Sequence, residues 1–244
     1  MSRSSMAATL ANNLDVPISS VLSYFSELED DAELKKHVAQ IIMQSALRFR
    51  ADSEVRFGRR VAWYAIARIL KPKVIVETGI DKGLGAIVLC AALLRNRDEG
   101  HPGEYFGTDI DRAAGELFAA PYTQVGSILY GDSISSLRVL DRSIDLFIND
   151  SDHSAEYEER EYETIAPKLS ARAVLIGDNS HVTDKLLQFS VAHGRAFAFM
   201  SEVPLRHWYR GAGIGLSLPP KDKRTISATD VTELDGFRTR TRLG

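Results

Sequence analysis

Two short stretches concentrate the side chains best suited to chemistry: Asn149-Asp150-Ser151-Asp152-His153 and Asp178-Asn179-Ser180-His181. Carboxylate and amide oxygens of this kind suit Mg²⁺, Ca²⁺ or Mn²⁺ better than zinc. An Asp-Asn pair also caps helices, but a cap needs one side chain, and here Asp150, His153, Asp178, Asn179 and His181 gather. A third stretch, Glu77-Thr78-Gly79-Ile80-Asp81-Lys82-Gly83-Leu84-Gly85, spaces its glycines as G-x-x-x-G-x-G. Glycines there let the backbone turn sharply and approach a ligand with no Cβ in the way. The tighter G-x-G-x-x-G turn that a pyrophosphate wants at a helix N-terminus is missing. Glu77 is placed to meet or orient a ligand's ammonium group, or simply to cap a plain βα turn. Asp109, in Gly107-Thr108-Asp109-Ile110-Asp111, can accept both hydroxyls of a ribose diol. Asp132, in Gly131-Asp132-Ser133, can accept from an adenine amino group, cap the next helix, or do both.

All of these residues sit just after apolar runs. The runs are Val74–Thr78, Tyr105–Thr108, Ser127–Tyr130, Ile144–Asn149 and Ala173–Gly177, with helix candidates near 84–96, 111–118, 133–140, 155–169 and 182–193. Strands alternating with helices predict a parallel sheet covered on both faces. Two more strands, near Ala196–Val203 and Gly213–Leu218, follow without a helix between them and suit an antiparallel pair at the sheet edge. The expected fold is therefore α/β: a doubly wound, Rossmann-like, seven-stranded sheet, mostly parallel with its last strand antiparallel. An open sheet of this type binds ligands beyond the carboxyl ends of its strands, and the fourth and fifth strands should be neighbours there.

Ahead of the sheet, residues 1–15 read as small, polar and loose. Two amphipathic helices follow; in the second, Leu34, Val38, Ile41, Ile42, Ser45 and Phe49 fall at helical spacing, with Asp30 or Asp31 as cap. A third helix over Val61–Leu70 must stop before Pro72. The expected organisation is a helical extension over 1–55, a ligand-binding domain over 56–220 and a polar tail over 221–244.

With 244 residues the chain can bury one large core, and a charge of −3, from 30 basic and 33 acidic residues, gives no reason to expect nucleic acid as a partner. The clusters Arg56-Arg59-Arg60 and Lys221-Lys223-Arg224 read as solvated surface. A lone cysteine, Cys90, rules out an internal disulfide and reads as a packing residue. No apolar segment reaches membrane-spanning length and the N-terminus lacks the apolar core of a secretory signal, so the expectation is a cytoplasmic protein without a membrane partner.

Taken together, the five strand ends resemble the class I S-adenosylmethionine-dependent methyltransferase pattern over roughly Arg56 to Leu218. Glu77-x-Gly79 resembles its first motif, Asp109 its ribose acid and Asp132 its adenine-side acid. Within that class, Asp145 to His153 looks like the "DLVFIDGDH" stretch of the catechol, caffeoyl-CoA and macrocin-type O-methyltransferases, and Val174–Asn179 like their strand-five ending. Asn149 and Ser151 depart from that stretch, replacing an apolar residue and a glycine. The resemblance implies S-adenosyl-L-methionine held by Glu77, Gly79, Gly83, Asp109, Asp132, Ser133 and Asp150. It also implies a divalent cation, Mg²⁺ or another, on Asp150, Asp178 and Asn179. Where the catechol-type enzymes place a catalytic lysine this sequence has His153, whose imidazole can take a proton near neutrality, with His181 in reserve. Asp150 would share in catalysis through the metal.

The implied reaction is methylation of a hydroxyl on a small molecule, with the N-terminal helices and Leu205-Arg206-His207-Trp208-Tyr209-Arg210 walling the acceptor, and a homodimer by analogy. Two other readings share the fold: a nicotinamide-dependent oxidoreductase, which would need the missing tight glycine turn, and a non-catalytic adenosine-binding protein, which would have no use for the strand-four acids.

Overall fold

A computed structural model describes residues 3–45, 54–178, 180–202 and 212–220. Seven strands form one sheet in the order β3-β2-β1-β4-β5-β7-β6. They are β1 Val74–Thr78, β2 Glu104–Asp109, β3 Gly126–Tyr130, β4 Ile144–Asn149, β5 Leu169–Gly177, β6 Ala196–Glu202 and β7 Ala212–Leu218. The first five pair in parallel, and β7 runs antiparallel to both β5 and β6. The order reverses beside β1, so the expected doubly wound α/β sheet with its ligand crevice at the strand ends is the fold observed.

Alternation along each strand divides the core in two. Ile75, Leu146, Ile148, Val174 and Ile176 face one layer, with Trp63, Ile87 and Leu89; Val76, Phe147 and Leu175 face the other, with Leu137, Tyr162 and Ile165. The first layer holds α1 Arg3–Leu14, α2 Ile18–Glu29, α3 Ala32–Gln44, α4 Arg60–Leu70 and α5 Leu84–Asp98; the second holds α6 Ser133–Val139, α7 Ala155–Ile165 and α8 Lys185–Ala192. Cys90 is a buried packing residue of α5. Asp31 caps α3, its carboxylate accepting from the Leu34 N–H at 2.8 Å. Helix α4 ends at Lys71 in a left-handed conformation just before Pro72.

Two sequence expectations fail. Residues 3–14 are not loose; they form α1, because Met6, Ala7, Leu10 and Ala11 make a stripe that buries. Small alanines let that helix seat closely, and tertiary burial outweighs its weak local signal. Residues 111–118 are not a helix. Gly115 has φ +85, and the Gly115 and Leu117 N–H groups donate to the carbonyls of Asp81 and Lys82, at 2.7 and 2.9 Å. The backbone bonds that a helix would use internally instead tie this connection to the glycine loop.

Candidate functional site

Register sets the site. Thr108, Thr78, Asn149 and Gly177 lie side by side across β2, β1, β4 and β5. The next residue of each strand extends the ladder: Gly79 donates to the Thr108 carbonyl, Asp150 to Thr78 and Asp178 to Asn149, each at 2.9 Å. Asp109, Gly79, Asp150 and Asp178 therefore stand in one row at the carboxyl edge of the sheet, four of the residues picked from sequence.

On the β1–β3 side the groups are half-open. Gly79 and Gly83 have φ +77 and +89, conformations that favour glycine, and a Cβ on Gly79 would run into the Asp150–Ser151 backbone. Asp109 is partly exposed; its two oxygens accept from the Asp111 and Asp81 N–H groups, at 2.8 and 3.0 Å. Each oxygen keeps a lone pair for a diol. Asp132 takes up its capping role, accepting from the Ser135 N–H at 2.8 Å, and its other oxygen accepts from the Tyr157 hydroxyl at 2.7 Å. Hydrogen bonding from the Ser135 side chain and from the Tyr157 hydroxyl, with the Ser135 N–H adding to it, holds its pKa below the usual carboxylate range. Beyond the row, Thr108 Oγ1 and Arg60 Nε are buried without a hydrogen-bond partner, polar capacity left at the strand ends.

Glu77 lies elsewhere. It faces the α4–α5 layer at 1% exposure, accepts from the Tyr105 hydroxyl at 2.5 Å, and fills the space where Gly85 lacks a Cβ. Burial pushes its pKa up to about 7. From there Glu77 can orient the loop.

A glutamate the sequence reading passed over ties the row together. Glu161 of α7 accepts from Thr78, Ser151 and Ser133 hydroxyls and from the Asn149 amide. The ends of β1 and β4 and the start of α6 thus meet on one buried carboxylate. Burial raises its pKa to about 7 against the pull of those hydroxyls. Ser133 is buried in this network, bonded to Tyr157 and Glu161. The signal was present: Glu158, Glu161, Tyr162 and Ile165 form the buried stripe of α7 at helical spacing, yet glutamates there read as solvent-facing.

The β4–β5 side is closed by cations. Arg59, at the N-cap of α4, grips Asp178 with both ends of its guanidinium, Nε donating to Oδ1 at 2.7 Å and Nη2 to Oδ2. Arg60 stands 3.7 Å from Asp150 and over the Trp63 ring at 5.2 Å. The Arg59 and Arg60 side chains are only 17% and 26% exposed, which corrects their reading as solvated surface. Arg56 alone of that cluster fits it, exposed and paired with Glu54 at 3.1 Å. Burial raises the Asp178 pKa, but the Arg59 bond and charge outweigh it and hold the carboxylate below its ordinary range. Asp150 is pushed upward by burial and by the neighbouring Asp178 charge.

Tested against a divalent ion, this donor set does not fit. Such an ion needs six or more oxygens in close array, and both Asp178 oxygens already accept from Arg59. Asn179 lies outside the described residues, and among those described no group of three metal-donor side chains converges. His153 and His181 are exposed. His153 stands one residue ahead of Ser154, the N-cap of α7. Residues 205–210, expected to wall the acceptor, lie outside the described residues. A cleft of about 270 Å³ opens instead between α3 and the glycine loop, lined among others by Val38, Ile42, Arg60, Ile80, Asp81 and Lys82.

The doubly wound sheet with its reversed β7 strand and the row at its carboxyl edge make up a Rossmann-like architecture that solved methyltransferases share. Residues 76–180 match a family model described as a methyltransferase domain, and the row lies within that stretch. Solved structures share the fold. The O-methyltransferase TomG from Streptomyces achromogenes, solved with S-adenosylmethionine, is 19% identical, covering 82% of this chain and 95% of its own with a TM-score of 0.59. An O-methyltransferase from Bacillus cereus, solved with S-adenosylhomocysteine, is 14% identical over 75% of this chain and 90% of its own, with a TM-score of 0.57. A methyltransferase from Geobacter sulfurreducens is 20% identical over 76% and 89%, with a TM-score of 0.56. No curated protein matches the sequence.

Proposed function

We propose that this chain transfers the methyl group of S-adenosyl-L-methionine to a hydroxyl oxygen of a small molecule. The observation that carries the reading is the half-open half of the row: glycines 79 and 83 in left-handed conformation, beside a partly exposed Asp109 that would accept from a ribose and a partly exposed Asp132 that would meet the adenine. The architecturally similar enzymes solved with S-adenosylmethionine or S-adenosylhomocysteine support it. In the reaction the acceptor oxygen attacks the sulfonium methyl in line, an O–C bond forms as the S–C bond breaks, and the sulfur leaves as a neutral thioether. The methyl is already activated, so the protein's work is positioning and proton removal. The hydroxyl proton goes to His153, whose exposed ring can pass it to water, with His181 the alternative base. Helix α3 and the 270 Å³ cleft would form the acceptor side. The extension over 1–55 would thus cap a cofactor domain over 56–220, with 221–244 as tail. No described helix is long and apolar enough to cross a membrane; a cytoplasmic homodimer completes the reading. The reaction proceeds without the metal step that the sequence resemblance implies, because Arg59 holds the carboxylate it would need.

Calorimetry with S-adenosylhomocysteine and with NADH tests the reading. Binding of the first and not the second is expected, followed by a gain of one methyl group on an acceptor by mass spectrometry. Binding of NADH alone would replace the proposal by an oxidoreductase. His153→Ala should lower kcat far more than it weakens donor binding; unchanged turnover would remove His153 from the mechanism.

A further inference from the structure

Cations at a helix N-terminus oppose the helix dipole, yet α4 begins with two arginines and has no acid in its first turn. Their partners account for this. Asp178 has an exposure of 0%, and a buried carboxylate needs a fixed counter-charge and full hydrogen bonding. Arg59 supplies both, in the bidentate geometry that guanidinium offers carboxylate. Arg60 adds a second positive charge facing Asp150. Two cations already oppose the two aspartates at the ends of β4 and β5.

We propose that Arg59 takes the place of a divalent cation at this corner, so that the chain assembles its site and transfers methyl without a metal ion there. The inference rests on the methyltransferase reading for its consequence, but the substitution of guanidinium for metal stands on the geometry of Arg59 and Asp178. A divalent ion would have to strip Arg59 from both Asp178 oxygens and sit beside Arg60.

The test is a Mn²⁺ titration of the full chain, with and without saturating S-adenosylhomocysteine, read as free Mn²⁺ by electron paramagnetic resonance. Wild type should show no saturable site, and excess EDTA should leave its melting temperature unchanged. Arg59→Ala should uncover the carboxylates and gain a saturable Mn²⁺ site that wild type lacks, with a melting temperature that rises on adding Mn²⁺. One Mn²⁺ bound by wild type and lost in Asp178→Asn would overturn the proposal, as would a folded Arg59→Ala that gains no site. Should that variant not fold, the wild-type titration still decides. Affinity for S-adenosylhomocysteine, measured separately by calorimetry, reports on the methyltransferase reading alone.

Discussion

The carboxylates on the β2–β3 side of the row and those on the β4–β5 side are the same chemical group at the same kind of strand end, yet their surroundings differ. Asp109 and Asp132 accept only from neutral donors, backbone N–H groups and a tyrosine hydroxyl, and stay partly exposed. Asp178 is sealed under a guanidinium, and Asp150 faces another. What arrives from the covering layer makes the difference: α4 delivers arginines to one side, while the turn-rich segment after β2 delivers only backbone to the other. Strand-end position makes a carboxylate available. Its neighbours decide whether it remains an acceptor for a ligand.

The comparison can be broken most forcefully at Asp178. Replacing it with alanine removes the buried carboxylate that Arg59 grips with both ends of its guanidinium, and a loss of about 3–5 kcal/mol in urea unfolding is expected. A loss under about 1 kcal/mol would mean the pair is no stronger than a surface contact. Glu161→Ala, which frees four donors shared by both sides, should cost about 2 kcal/mol, since its hydroxyl partners can turn elsewhere but the Asn149 amide cannot. Glu161→Gln sharpens the same point through pH. Folding raises this carboxyl to about 7 from an ordinary value of 4.5, so between those values the folded state binds more protons than the unfolded one. Its contribution is full below about 4.5 and is lost as pH rises through about 7. Melting temperature should therefore fall from pH 5 to 8 in wild type and fall less in Glu161→Gln; parallel curves would show Glu161 to be ordinary. On the open side, Asp109→Ala should leave stability nearly unchanged and weaken S-adenosylhomocysteine roughly 10- to 100-fold by calorimetry. The smallest effect is expected at Asp150→Asn. Its ion pair is loose at 3.7 Å, so a loss below about 1 kcal/mol should result, which would set the two arginine contacts apart.

Much of this was legible without coordinates because strands and loops carry local signals. The run Ile144–Asn149 is the observed β4 to the residue, and Gly79 and Gly83 after β1 fall where the chain turns with positive φ. The failures share a cause. Helix α1 was missed because its apolar stripe is short and alanine-rich; the helix expected at 111–118 fails because its backbone finds partners on the 81–82 loop. Arg59 and Arg60 were misread, and Glu161 passed over, because charged residues in short clusters or along helices are ordinarily solvated, and no local rule pairs Arg59 with Asp178, Arg60 with Asp150 or Glu161 with Thr78, which lie 119, 90 and 83 residues away.

By itself the sequence determined the alternation of elements, and with it the sheet class and the edge where ligands bind, since periodicity and turn chemistry act over a few residues. It also named Asp109, Asp132, Asp150 and Asp178 as strand-end acids. Only the tertiary structure decided which of those acids stay available, because an electrostatic partner is set by packing between layers. Placing α4 against the ends of β4 and β5 turned a cluster expected in solvent into the counter-charge of a buried carboxylate.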